Sequence, residues 1–308
     1  MTQLRSSCPV HSIRRLGAVA LLLAVSCSDS PTEPEALPPN VAPVFSFATI
    51  EVPNARSTTV FGVNNNGDQV GNFTDATGVV HGFLLRSGNF TTVDHPGAGR
   101  TAARGINDAG EIVGNWARTG DAGVISFGFR RTADGQFQPV TFAGFKHTIP
   151  QRILSDGTVL GCAHQDDLMG SMIGITVGPR ASSQTSLFAS MHNGATPDLK
   201  RIVGLYTKMP EDRGEGYVVE NNAVTPLMVP GSTMTNGWDI NPRTESVGTF
   251  QNAAGFHGFI HATTYGYVTI DYPGATATRA FGINSAGDVV GSYTSNGVTR
   301  GFLAKRTN

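Results

Sequence analysis

Apolar positions along the chain fall into short alternating runs, and the same run keeps returning. In GINDAGEIVGNW, residues 105–116, an apolar residue is followed by a polar turn and then by the pair Ile112-Val113. GINSAGDVVGSY, residues 282–293, is almost the same. Six such runs end in a glycine: Gly71 (DQVG), Gly114 (EIVG), Gly161 (TVLG), Gly204 (RIVG), Gly248 (ESVG) and Gly291 (DVVG), at spacings of 43, 47, 43, 44 and 43. Each is followed, 10 to 14 residues on, by a glycine before a large apolar residue: Gly82-Phe83, Gly128-Phe129, Gly174-Ile175, Gly216-Tyr217, Gly258-Phe259 and Gly301-Phe302. A third element, P-x10-N-x6-G, is met by Pro53/Asn64/Gly71, Pro96/Asn107/Gly114, Pro230/Asn241/Gly248 and Pro273/Asn284/Gly291. The third copy has Ala143 and Leu154 in the first two of those slots, and the fourth loses the pattern before Gly204.

One unit reads as four strands. TTVD is a short β-branched strand, and Pro-Gly-Ala turns the chain. TAARGIN is a second strand with Ile106 inward, and NDAG is a tight hairpin in which Gly110 takes positive φ. EIVGNWA and SFGFRRT complete the unit, and no helical period appears after residue 26. A 40–50-residue period with four strands per unit predicts propeller blades. The domain opens with FATIEV and ends with GFLAKRTN, which lacks that strand type. The expected architecture is therefore all-β: a six-bladed β-propeller of four-stranded antiparallel blades, closed by strand 47–52 joining the last blade. A right-handed β-solenoid or another blade count is the competing reading. The 38 glycines among 308 residues, well above the usual level of about 7%, fit a chain of tight turns.

The N-terminus has a different composition. Arg5, Arg14 and Arg15 precede an apolar run from Leu16 to Val25, too short to span a bilayer as a helix. LLLAVSC ends in Cys27 and resembles a bacterial lipobox, while Ala24-Val25-Ser26 also fits an ordinary cleavage site. Both readings make 1–26 a signal peptide, cleaved before Cys27, and both imply export. Residues 27–45 form a proline-rich tether, in which the stretch 28–43 holds five prolines and reads as extended, reaching roughly 50 Å at ~3.1 Å per residue. Residues 46–308 are left for the propeller. With Cys8 removed and Cys27 at the lipidation position, Cys162 is the domain's remaining cysteine, so no internal disulfide is expected. Loss of three arginines leaves 19 basic against 23 acidic residues, about −4, which is no footprint for nucleic acid. Ser28 after the lipidated cysteine favours the outer membrane by resemblance to such signals.

The combination GIN-x-x-G-[ED]-[IV]-VG, then His81-Gly82-Phe83 and His257-Gly258-Phe259, then FTTVDHPGA resembles the bacterial extracellular HAF-repeat proteins over residues 47–305. The resemblance implies an extracellular propeller-like repeat protein and carries no activity with it.

Residues that recur are assigned to construction. Asn64, Asn107, Asn241 and Asn284 are expected to hold hairpin turns, and Asp68, Glu111 and Asp288 to be solvated turn residues. Thr58, Thr101, Thr148, Thr235 and Thr278 are expected to bridge blades, and His81 and His257 to pack. Phe61, Trp238 and Phe281 share one slot and suggest blade-to-blade packing. Cys162 reads as an inert core thiol. Residues that break the repeat are the functional candidates. Loops joining an outer strand to the next inner strand gather on one propeller face, and they carry Asp94, His95, Lys146, His147, His192, Asp271 and Tyr272. Loops between the middle strands join them there, with His164, Asp166, Asp167, Glu211, Asp212 and Arg213. A ligand-binding rim is the expectation; six unrelated polar loops are the bland alternative. The sequence contains no phosphate loop, H-E-x-x-H, G-x-S-x-G or CxxC motif. No catalytic residue, metal site or cofactor is assigned. The expected function is a monomeric binding or scaffolding module at the cell envelope, outer-membrane-anchored or extracellular, taking a glycan, peptide or envelope protein. The alternative is a polysaccharide-active hydrolase or lyase with a His/carboxylate site on the same face. Blades three and four, about residues 143–222, diverge most and are where asymmetry would make a pocket.

Overall fold

Each of the six repeats folds as one antiparallel sheet, and the first strands of successive sheets touch one another in a closed ring. The computed structural model describes residues 41–308 apart from 180, 181, 186, 188 and 209–212. The signal segment, Cys27 and nearly all of the tether lie outside the described residues, as do Glu211 and Asp212. Among the described residues there are twenty-four strands and one helical turn, Leu168–Ser171, in the third blade. The first blade runs outward from the axis as Ser57–Val63, Gln69–Thr74, Val80–Arg86 and Asn89–Val93, and the next four blades repeat that order. The sixth blade contributes three strands of its own, and Phe45–Ile50 pairs antiparallel with Val298–Arg306 as its outer strand, from Phe45↔Arg306 to Ile50↔Gly301. The closing strand thus starts and ends two residues earlier than expected. Val52 is already in the turn, its carbonyl accepting from Ala55 N and its amide donating to Thr58 Oγ1 at 3.1 Å. Beyond the sheet, Val44 N donates to Asn308 Oδ1 at 2.9 Å and Asn308 Nδ2 to Ala42 O at 3.0 Å, tying the two ends of the domain together.

The two glycine marks are the two halves of one packing unit. Gly71 faces Phe83 across neighbouring strands, and the other five pairs, from Gly114 with Phe129 to Gly291 with Phe302, have the same register. A Cβ on Gly71 would stand 2.0 Å from Thr59 O and 2.8 Å from the Phe83 ring. The large residue therefore lies flat on bare backbone, and in all six blades it is fully buried. Each such side chain contributes about 1.5–3 kcal/mol of burial.

Polar residues stitch blade to blade. Thr58, Thr101, Thr148, Thr235 and Thr278 each accept an amide of the preceding segment, from Val52, His95, Gly128, Val229 and Tyr272, at 3.0 to 3.2 Å. Ser190 fills the slot in the fourth blade, accepting Gly174 N at 2.9 Å. The hairpin asparagines do two jobs. Asn64 Oδ1 accepts Asn66 N and Asp68 N within its own turn, while Asn64 Nδ2 donates to Asn107 O in the next blade. Asn107 to Leu154 O, Asn241 to Asn284 O and Asn284 to Asn64 O continue this ladder. Asp68 and Glu111 are not solvated turn residues as expected: Arg86 reaches Asp68 at 2.8 Å and Arg130 reaches Glu111 at 2.5 Å, so a neighbouring strand supplies a counter-ion for each. Asp288 Oδ1 likewise accepts Arg306 N at 3.0 Å.

The Gly71→Ala variant should lose at least about 2 kcal/mol of stability, because the clash is with backbone and cannot be relieved by a rotamer change. Urea unfolding monitored by circular dichroism would measure it. Gly88→Ala, in an exposed turn with nothing within 4 Å but at φ of 79°, should cost less.

Candidate functional site

All six inner strands carry a register irregularity at one place, skipping Phe61, Arg104, Gln151, Asn193, Trp238 and Phe281 in turn. A bulge re-aims its extra side chain, and here all six converge on the channel, where together with Arg152 they line one constriction. Phe61 packs on Phe281 at 5.1 Å between ring centres, Trp238 on Phe281 at 5.3 Å, and the Arg104 guanidinium lies 4.3 Å above the Phe61 ring. Burial pulls the Arg104 pKa down to about 10, so it remains a cation at neutral pH.

The position after the bulge is glycine in four blades, at Gly62, Gly105, Gly194 and Gly282, but Arg152 in the third and Asp239 in the fifth. These two meet across the channel at 2.9 Å. Arg152 also donates to Phe281 O at 2.9 Å and to Phe61 O and Arg104 O, each at 3.4 Å. Asp239 Oδ2 accepts Ile283 N at 3.0 Å. A Cβ at Gly62 would stand 3.1 Å from Arg152 Nη1, and one at Gly194 2.5 Å from Asp239 Oδ1. The glycines leave the room that this pair occupies. The sequence reading did not single out Arg152 or Asp239; the signal was present, since these two copies replace the repeat's glycine by opposite charges. On the hairpin side of this pair the channel opens into a bowl of about 150 Å³, with Val63, Ile106, Ile153, Ile240 and Ile283 around it.

On the opposite, loop-rich face the expected rim divides into separate groups. Asp94 pairs with His81 at 2.6 Å, and His81 stacks on Phe73. Asp271 pairs with His257 at 2.9 Å, and His257 stacks on Phe250. Tyr272 stacks on Tyr293 at 3.7 Å, and Thr49 of the closing strand bonds both hydroxyls, at 2.7 and 3.0 Å, so Tyr272 belongs to the ring closure. His192 is not in a rim loop as expected but inside the inner strand Ser190–Ala195, buried with Nδ1 at 3.1 Å from Thr176 Oγ1, and burial pushes its pKa down to about 4.

His95, Lys146, His147, His164 and Asp166 do come together, on blades two and three. His95 stacks on Trp116 at 4.0 Å and 7°, with Phe137 edge-on at 5.1 Å. Arg118 sits 4.7 Å above the Phe127 ring. A cavity of about 190 Å³ is lined by His95, Trp116, Phe127, Phe137, Phe145 and Lys146, among others. Beside it Lys146 and His147 both reach Asp166, the latter from Nε2 at 3.3 Å, and these hydrogen bonds hold the Asp166 pKa below its usual value. His147 lies against His164, with ring centres 5.1 Å apart. Asp167 immediately precedes the helical turn Leu168–Ser171, and Arg213 pairs with Glu215. Cys162 is fully buried, which pushes its thiol pKa up to about 12 and leaves it protonated. Among the described residues no group of three or more His, Cys, Asp or Glu is placed to hold a metal ion.

The architecture and this face define a six-bladed propeller with its recessed aromatic pocket off-axis. No protein-family model matches the chain, and no curated protein matches it in sequence. Solved propellers do match in fold. The chain is similar to a gluconolactonase from Xanthomonas campestris, at 13% identity and TM-score 0.53, over 91% of this chain and all of that one. It is similar to TolB from Acinetobacter baumannii, at 13% identity and TM-score 0.52, over 82% of this chain and 64% of that one. It is also similar to the β-propeller domain of the Trilobed protease from Pyrococcus furiosus, at 8% identity and TM-score 0.52, over 82% and 96%. That domain has an open velcro topology, whereas here Phe45–Ile50 closes the ring.

Two outcomes test this geometry. Arg152→Met should cost about 3–5 kcal/mol, because it strands the Asp239 carboxylate, whereas Arg152→Met with Asp239→Leu should cost clearly less; urea midpoints of the four-member cycle give the answer. His192 has a folded pKa below its unfolded value, so its stabilising effect is complete above about pH 6.5 and lost as pH falls toward 4. Wild-type stability should therefore fall by up to about 3 kcal/mol over that interval, and His192→Gln should flatten this acid limb in denaturation curves collected from pH 7 to 4.

Proposed function

We propose that the protein is an exported propeller, anchored through a lipidated Cys27, that works as a binding module at the cell envelope and belongs to the HAF-repeat proteins. The observation that carries the binding reading is the pocket between His95, Trp116, Phe127, Phe137 and Phe145, with the Lys146 ammonium at its edge. Aromatic walls with one cation suit a ring that offers an apolar face and polar edges. At about 190 Å³ the pocket is small beside a typical ligand site of ~300–1,000 Å³, so it would take one sugar ring or one side chain of a larger glycan or envelope protein. The basic start, short apolar run, Cys27 and proline-rich tether support export and anchoring.

A second reading, a hydrolase or lyase, is favoured by one feature, the Lys146–Asp166–His147 chain beside the same pocket. One experiment separates the two. A panel of envelope glycans is titrated against wild type, Trp116→Ala and, as a control on the other face, Ser285→Ala, with the bound glycan analysed for cleavage afterwards. Binding weakened at least tenfold by Trp116→Ala alone, with intact glycan, is the expected result. Equal binding by all three proteins overturns the site, and cleavage lost in His147→Ala replaces the binding reading with the enzymatic one.

A further inference from the structure

His147 and His164 are direct partners on adjacent strands of the third blade, at the loop end of the register. Their side chains lie on the same sheet face as Ile149 and Cys162, the next pair along. Cys162 and its neighbours pack there with Met172, Ala189 and Met191, so this is the face turned to the fourth blade. Both imidazoles are nine-tenths buried or more, His147 at 6% exposure and His164 at 0%. Each has one ring nitrogen engaged by a group that only accepts: His147 Nε2 by the Asp166 carboxylate at 3.3 Å, His164 Nδ1 by Gln165 O at 2.8 Å. Those nitrogens carry the protons. The opposite nitrogens, His147 Nδ1 and His164 Nε2, are then bare lone pairs, and both are buried with no hydrogen-bond partner.

Two adjacent unpartnered acceptors in one blade are costly unless something fills them. Orientation of a neutral imidazole by a carboxylate on one side and by a backbone carbonyl on the other is how proteins prepare histidine for a metal. The 5.1 Å between ring centres also matches the separation, roughly 5 Å, of two imidazoles sharing one tetrahedral ion through bonds of ~2.1 Å. We propose that His147 and His164 form a two-nitrogen site for a late first-row transition-metal ion, of the zinc or copper class, at the loop end of the third blade. Imidazole selects this class over calcium or magnesium, which take oxygen ligands. Only these two protein nitrogens are offered, so the ion's remaining positions fall to water and binding is moderate. The site stands whether or not the aromatic pocket binds a glycan.

The test uses metal-free protein carrying Cys27→Ser, so that no tether thiol competes, titrated separately with Zn²⁺ and Cu²⁺ by calorimetry. One ion per chain is expected, with affinity at least thirtyfold weaker in His147→Gln and in His164→Gln. The Cu²⁺ complex should show nitrogen splitting in its electron paramagnetic resonance spectrum, lost in both variants. Bound ion should raise the thermal midpoint of wild type and leave that of the variants unchanged. If fully buried His164→Gln fails to fold, His147→Gln, at the rim, still decides the matter. Failure of wild type to take up either ion, or uptake unchanged in a folded His147→Gln variant, overturns the proposal and leaves buried water as the occupant of the two lone pairs.

Discussion

The ring depends on filling its own axis. Six inner strands meet around a channel, and each would present backbone edge and small side chains to an empty core without the bulge that turns one larger side chain inward. Arg152 then joins blades that share no ladder hydrogen bonds. From the third blade it bonds carbonyls of the first, second and sixth and pairs with Asp239 of the fifth. A buried ion pair is seldom a source of net stability, since desolvation offsets most of its attraction. Its effect here is geometric: a planar fork with several acceptors in fixed directions sets the relative positions of five blades at the point where they are closest.

That central plug has a consequence for function. Along the axis the channel opens into a small bowl on the hairpin side, and the loop face carries a recess off-axis, at the junction of blades two and three. The asymmetry comes from departures from the repeat. Blade three has Leu154 where the hairpin asparagine should be, His147 and His164 at its loop end, and a middle loop, residues 165–172, that contains the helical turn Leu168–Ser171. Blades one and five keep the His-Gly-Phe mark, and there the histidine pairs with an aspartate and stacks on phenylalanine. Chemistry becomes available where the repeat has released the residue from construction.

Most of the architecture was legible in the chain because a repeat multiplies weak signals. Gly71 alone says little, but six glycines at nearly constant spacing, each followed by a glycine and a large apolar residue, specify a cross-strand contact made six times. The closing strand was legible for a related reason: FATIEV lacks a partner at one end of the domain and GFLAKR lacks one at the other. Individual side-chain partners were not legible. Asp68 and Glu111 appear solvated in a turn until Arg86 and Arg130, 18 and 19 residues further on, fold back over them. His95, His147 and His192 look alike as loop histidines, yet one stacks on Trp116, one joins Asp166 and one is buried against Thr176.

What the sequence determined by itself is the number of blades, the order of strands within each and the way the ring closes. These follow from period, alternation and turn residues, which act over a few positions at a time. What only the tertiary structure decided is which side chains share a space. Residues on different blades are brought together by the curvature of the ring and by one-residue shifts in strand register, and neither leaves a local trace. Arg152 and Asp239 are 87 positions apart in the chain and 2.9 Å apart in the channel. The sequence records both substitutions of glycine, but only closure of the circle turns two opposite charges into one contact.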